Sequence, residues 1–153
     1  MSPGDSGNIF AFVAKGLFKR FLLTPDGAEI ILSFDEEGRL ISDFPALLSG
    51  KSAELFIEAM EDSVCLISSP GLAHNLKQRH VSWKDAWAFV TEIRYLEEHR
   101  RVIELLSFTA EGRYAQFIER YTNLASRIPN KDIAAYLGIT PSSFSRLMAK
   151  ERP

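Results

Sequence analysis

The chain has 153 residues with 18 Lys+Arg and 20 Asp+Glu, a net charge of −2, and 46% of its residues are hydrophobic. That bounds it to one compact domain or two small ones and excludes global disorder. No run approaches the roughly 18 apolar residues of a membrane span, and the polar stretch Met1 to Asn8 lacks the pattern of a secretory signal, so a cytoplasmic protein with no membrane partner is expected.

The charge is unevenly placed. Residues 1–109 hold 11 Lys+Arg and 16 Asp+Glu, whereas residues 110–153 hold 7 and 4. A basic final third on an acidic chain suggests two jobs, one of them facing a polyanion.

The first part reads as β structure. Ile9 to Ala14 is a short apolar run closed by Lys15-Gly16, and Leu17 to Leu23 is a second strand. Thr24-Pro25-Asp26-Gly27 is a turn, with Ala28 to Phe34 as the returning strand of a hairpin. Asp35 to Gly38 turns again, and Leu40 to Leu48 is mixed, with a helical turn near Phe44. Beyond the loop Ser49 to Ser52, Glu54 to Met60 and Val64 to Ser68 are strands, so a sandwich or barrel is expected. Cys65, the only cysteine, excludes an intrachain disulfide and, lying in the apolar run VCLI, is expected to be a buried inert thiol.

The period then changes. Pro70 to Arg79 predicts a short helix and Trp83 to Leu106 a long one free of Gly and Pro. Phe89, Leu96 and Ile103 recur every seven residues, flanked by Ala86, Val90, Ile93 and Leu106, which is an apolar stripe suited to a dimer seam. Thr109 caps a further helix carrying Tyr114, Phe117, Ile118, Tyr121 and Leu124, a segment that Pro129 ends. His74, His80 and His99 are not at metal-site spacing, and no phosphate loop, nucleophile elbow or metal motif points to an enzyme.

The stretch NKDIAAYLGITPSSFSRLMA, from Asn130 to Ala149, meets the packing demands of a helix-turn-helix. Gly138 suits the left-handed turn and Ala134 the point where the second helix crosses the first. Ile133, Leu137, Ile139, Phe144 and Leu147 fall on the inner faces, Thr140 can cap the second helix, and Pro141 suits its first turn. The outward face then carries Ser142, Ser143, Ser145, Arg146 and Lys150. Arg146 is expected to contact a base edge or a phosphate, the serines to contact phosphates or read bases weakly, and Lys131, Lys150 and Arg152 to neutralise phosphates of double-stranded DNA.

The order of a β-rich unit, a long helix and a helix-turn-helix resembles the Crp/Fnr family of transcription regulators. The resemblance rests on IPNKDIAAYLGITPSSFSRLMAK, LLSFTAEGRYAQFIERY and the strand pattern from Lys15 to Ser63. It implies an α+β chain: a cyclic-nucleotide-binding-like β jelly-roll over 1–82, a dimerisation helix over 83–108 and a helix-turn-helix DNA-binding domain over 109–153. Three departures qualify it. The family's sensor has further strands ahead of the segment matching Ile9 to Ala14, so either the roll is incomplete or the start omits sequence. Cyclic-AMP binders in the family use a Gly-Glu pair and a later phosphate-binding Arg. The matching positions are Gly38-Arg39, followed by Leu40, and Ser52-Ala53-Glu54, which lack both the Glu and the Arg. Cyclic nucleotide is therefore not expected, no cofactor is implied, and these positions would face an unidentified small-molecule effector, with Arg39 read first as a solvated turn residue. Finally, the family's β-wing has no counterpart after the recognition helix. Without it, the alternative is a sensor module that has lost DNA binding and acts through protein partners.

Overall fold

The computed structural model describes residues 1–7, 9–68 and 71–150. Strands β1 (Ala11–Lys15), β2 (Phe18–Leu23), β3 (Glu29–Asp35) and β4 (Leu40–Ile41) are followed by helix α1 (Phe44–Ser49), β5 (Phe56–Ala59) and β6 (Val64–Ile67). They pair antiparallel in two three-stranded sheets, ordered β4-β1-β6 and β3-β2-β5. Among the described residues, the predicted β-roll is thus an open one of six strands. The hairpin β2–β3 closes where Gly27 N–H donates to the Thr24 carbonyl at 2.9 Å, and Thr24 Oγ1 accepts from Ala28 N–H.

The mixed stretch Leu40 to Leu48 resolves into the short β4 and α1. The buried Asp43 carboxylate caps α1, accepting from Ala46 N–H at 3.1 Å and from Glu54 N–H at 2.8 Å, which pins the following loop to the helix. Gly16, at φ +108°, is needed at the β1–β2 corner because a Cβ there would lie 2.0 Å from Ser63 Oγ.

The helical part comprises α2 (Leu72–Arg79), α3 (Val81–Ser107), α4 (Ala110–Arg120), α5 (Asn130–Leu137) and α6 (Pro141–Lys150). Pro70, the predicted start of the first of these, lies outside the described residues. No helix is long and apolar enough to cross a membrane among the described residues. Thr109 caps α4 as expected, its Oγ1 accepting from Gly112 N–H at 3.2 Å. The helix stops at Arg120, before the Leu124 that its spacing suggested. Tyr121, Leu124 and Ile128 are all buried, and the tight turns Leu124 N–H to Tyr121 O and Arg127 N–H to Leu124 O keep these three facing inward.

One sequence expectation inverts. β6 is an edge strand, with Val64, Leu66 and Ile67 exposed and Cys65 only half-buried, so VCLI is not core. Cys65 and Ile67 instead line an apolar cleft of about 760 Å³ between the sheets, with Ile41 of their own sheet and Phe18 and Ile57 of the other. On α3, it is the charged side chains Arg94, Arg101 and Glu104 that are buried, while Phe89, Leu96 and Ile103 stand exposed at 62%, 61% and 44%.

The hydrophobic core does not stop at residue 108. Leu17, Phe21, Ile31 and Phe34 from β2–β3 and the preceding loop pack in one cluster with Phe117, Tyr121, Leu124, Ile133, Ala134, Tyr136, Leu137 and Phe144. Phe34 is its centre, with ring centroids 5.6–6.2 Å from Phe117, Tyr121 and Tyr136. The hairpin and the last three helices therefore bury apolar surface together.

Candidate nucleic-acid interface

Helices α5 and α6 meet through Gly138, whose φ of +67° and ψ of +35° place it in the left-handed region. Its N–H and that of Ile139 return to the carbonyls of Ala135 and Ala134, satisfying the end of α5 while reversing the chain. Ala134 is fully buried, and Ile133, Leu137, Phe144 and Leu147 are buried with it. Phe144 packs edge-to-face on Tyr114 of α4 at 5.6 Å, so a third helix braces the pair. At the start of α6, Thr140 Oγ1 accepts from Ser143 N–H at 3.2 Å, the cap that the sequence predicted.

Burying Phe144 and Leu147 turns the opposite side of α6 outward. Ser142, Ser145, Arg146 and Lys150 are exposed there, Ser143 is half-buried, and Lys131 is exposed at the first turn of α5. Arg146 makes one hydrogen bond, from Nη2 to Ser143 Oγ at 3.2 Å, which extends it along the helix surface. Ser145 donates to the Pro141 carbonyl, so its hydroxyl proton is engaged internally. Ser143 Oγ accepts from both Arg146 and Thr140, leaving its own proton for an outside acceptor. Arg152 lies outside the described residues. Asp132 is buried beneath this surface, and burial raises its pKa against the opposing pull of Lys19 and Lys131. Beside α6, a groove of about 830 Å³ runs between Ala28–Ile30 of the hairpin and the Gly138–Pro141 turn.

The other predicted positions do not converge on one cavity. Gly38 is a turn residue whose N–H donates to the Val13 carbonyl. Arg39 donates from Nη2 to Glu97 Oε1 of α3 at 2.7 Å, so it is an ion-pair partner rather than a solvated turn residue. The Leu40 carbonyl accepts from Arg94 at 2.6 Å. Ser52 is bridged to Ser6, and the buried Ala53 exchanges backbone hydrogen bonds with Gly4 and Asp5. None of the five lines the cleft between the sheets, and Arg39 alone borders a second, small cavity beside α3.

That second cavity belongs to a charge network that the sequence reading missed. Asp35, fully buried, pairs with Arg20 at 3.0 Å and Arg94 at 2.7 Å; burial opposes its charge, but the two guanidiniums win and hold its pKa below the usual carboxylate range. Arg20 also reaches Glu98 at 3.1 Å, and Arg94 reaches Glu97 at 3.2 Å. Further along α3, Glu104 pairs with Arg120 of α4, and Arg101 donates to the Tyr136 carbonyl of α5 with its guanidinium 3.8 Å from that tyrosine's ring centroid. Arg120 Nη1 also donates to Tyr136 Oη at 2.5 Å. A signal existed: Arg94 and Arg101, like Glu97 and Glu104, recur seven residues apart, so each pair keeps to one side of the helix beside the apolar stripe.

An open two-sheet roll, a long helix and a helix-turn-helix define the class. No protein-family model matches the chain, and no curated protein sequence does. Solved structures do. FixK2 from Bradyrhizobium japonicum aligns over 97% of this chain and 77% of its own, with a TM-score of 0.84 at 22% identity. A Crp-family transcriptional regulator from Thermus thermophilus covers 99% and 78%, at TM-score 0.78 and 18% identity. The c-di-GMP responsive global regulator CLP of Xanthomonas campestris covers 98% and 80%, at TM-score 0.76 and 16% identity. The chain has the Crp/Fnr-type fold.

Proposed function

We propose that this protein is a dimeric, cytoplasmic, DNA-binding transcriptional regulator of Crp/Fnr type and not an enzyme. In this reading residues 1–82 form the sensor, 83–108 the dimerisation helix and 109–153 the DNA-binding part. The observation that carries it is the open face of α6. Arg146, Ser142 and Lys150 are exposed on a helix whose other side is buried, and Lys131 adds a cation at the neighbouring helix start.

Two copies joined along Phe89, Leu96 and Ile103 would present two such helices to successive major grooves, roughly 34 Å apart. Arg146 has the fork geometry to take guanine O6 and N7 together, and Ser143 can donate to a phosphate. Few cations line the face, so binding should be modest and fall steeply with salt. An effector that drew Arg39 away from Glu97 would have a direct handle on α3.

Selection of bound duplexes from a random pool tests this. A two-fold-related site is expected, and Arg146→Ala should lose about 1–3 kcal/mol and relax preference at one position of each half-site. If low-salt conditions yield no salt-sensitive binding to any duplex, the protein is instead a sensor module working through protein partners.

A further inference from the structure

Arg101 stands apart in the network around α3. The residue is 6% exposed, yet its Nε and Nη1 donate no hydrogen bond among the described residues. Its nearest carboxylate oxygen, Glu104 Oε2, is 3.8 Å from Nη1, and Glu104 already serves Arg120. The other carboxylates are also taken: Asp35 by Arg20 and Arg94, Glu98 by Arg20, Glu97 by Arg39 and Arg94. Five guanidiniums therefore share four carboxylates, and Arg101, with two donors unused and only the long pair to Glu104, is the least neutralised of the five. A guanidinium does not shed its proton at physiological pH, and a buried charge without a counter-charge is strongly disfavoured. Burial accordingly lowers the Arg101 pKa, a direction that the neighbouring Tyr136 and Glu104 do not reverse.

The space beside this arginine has a definite size. A cavity of about 20 Å³ is bordered by Arg101, Arg120, Arg94, Arg20, Ser33 and Tyr121. Glu97 and Glu98 also border it, each already paired with an arginine. That volume holds one water-sized or halide-sized sphere. It is too small for phosphate, sulfate or a nucleotide. A water would satisfy donors but leave the charge, whereas a monovalent anion does both.

We propose that this cavity is a binding site for a single halide-sized anion, chloride among common ions, held chiefly by Arg101. The bound ion joins α3 to α4 through Arg120 and lies beside Arg20 of the hairpin, next to the point where Arg101 holds the Tyr136 carbonyl of α5. Chloride thereby strengthens the seating of the last helices on the hairpin.

The test is thermal unfolding of the full chain at constant ionic strength, with sodium gluconate replaced stepwise by sodium chloride or bromide. A saturable rise of Tm is expected in both halides, about 3–6 °C at tenfold above half-saturation. Arg101→Gln should abolish it. A bromide-soaked crystal provides a second readout that needs no variant: an anomalous peak within hydrogen-bonding range of Arg101 supports the site. Equal Tm in gluconate and chloride, an undiminished halide effect in Arg101→Gln, or bromide peaks only elsewhere would each overturn it.

Discussion

Phe34→Ala probes the shared core most directly. Phe34 is 2% exposed and lies on β3, but its aromatic neighbours are Phe117 of α4, Tyr121 after it and Tyr136 of α5. Its backbone N–H also donates to Tyr121 Oη at 3.3 Å. Truncating a buried phenylalanine costs about 3–5 kcal/mol, and the loss of three ring contacts, each worth about 0.5–1.5 kcal/mol beyond burial, places this site at about 4–5. That is a large share of the roughly 5–15 kcal/mol that typically separates folded from unfolded chains. At about 2–4 °C per kcal/mol for a chain of this size, Tm should fall by about 8–20 °C. Urea unfolding followed by far-UV circular dichroism measures the loss, and amide exchange locates it. Because the lost contacts lie on helices, amides of α5 should lose protection together with those of the β2–β3 hairpin. Hairpin amides that lose protection while α5 keeps its own, or a total loss below about 1 kcal/mol, would refute the shared core.

Three further perturbations separate other parts of the argument. Leu96→Glu should convert the proposed dimer to a monomer in sedimentation without changing the circular dichroism spectrum, since Leu96 is exposed on the chain; a wild-type monomer would remove the seam. Gly138→Ala should cost about 1–2 kcal/mol, purely from its φ of +67°, because the added Cβ meets nothing nearer than Leu105 Cδ2 at 3.8 Å, and Gly138→Asn should cost less. Glu37 accepts from Gly16 N–H and from Arg127, which hold its pKa at about 2 against an ordinary 4.5. Its folded-state pKa is the lower one, so its contribution is complete above about pH 4.5 and disappears as the pH falls toward 2. Glu37→Gln should flatten that part of a stability–pH curve measured by urea titration.

The helix-turn-helix was legible because its demands are local. A left-handed residue, a small crossing residue and inner apolar positions all fall within Asn130–Ala149, and Gly138, Ala134 and Phe144 occupy those roles in space. The hairpin was legible for the same reason, through Thr24 to Gly27. The strand Val64–Ile67 misled because an apolar run is silent on whether another layer covers it, and here it sits at a sheet edge. The surroundings of the effector positions were not legible, because motif matching places residues along a chain and not around a cavity; the Arg39 pair with Glu97 is one such neighbour.

What the sequence by itself determined is whatever short-range stereochemistry controls: the turns, the caps at Thr109 and Thr140, the long helix and the outward Ser/Arg/Lys face of α6. Only the tertiary structure decided that α3 buries charge and exposes its apolar stripe, that Arg20, Asp35, Arg94 and Arg101 meet, and that Phe34 joins the sheet to the last helices. The reason is range. A helical period establishes which residues share a face, but the partner of each face comes from residues 54 to 102 positions away, as in Leu40 with Arg94 or Phe34 with Tyr136, and no local pattern encodes that pairing.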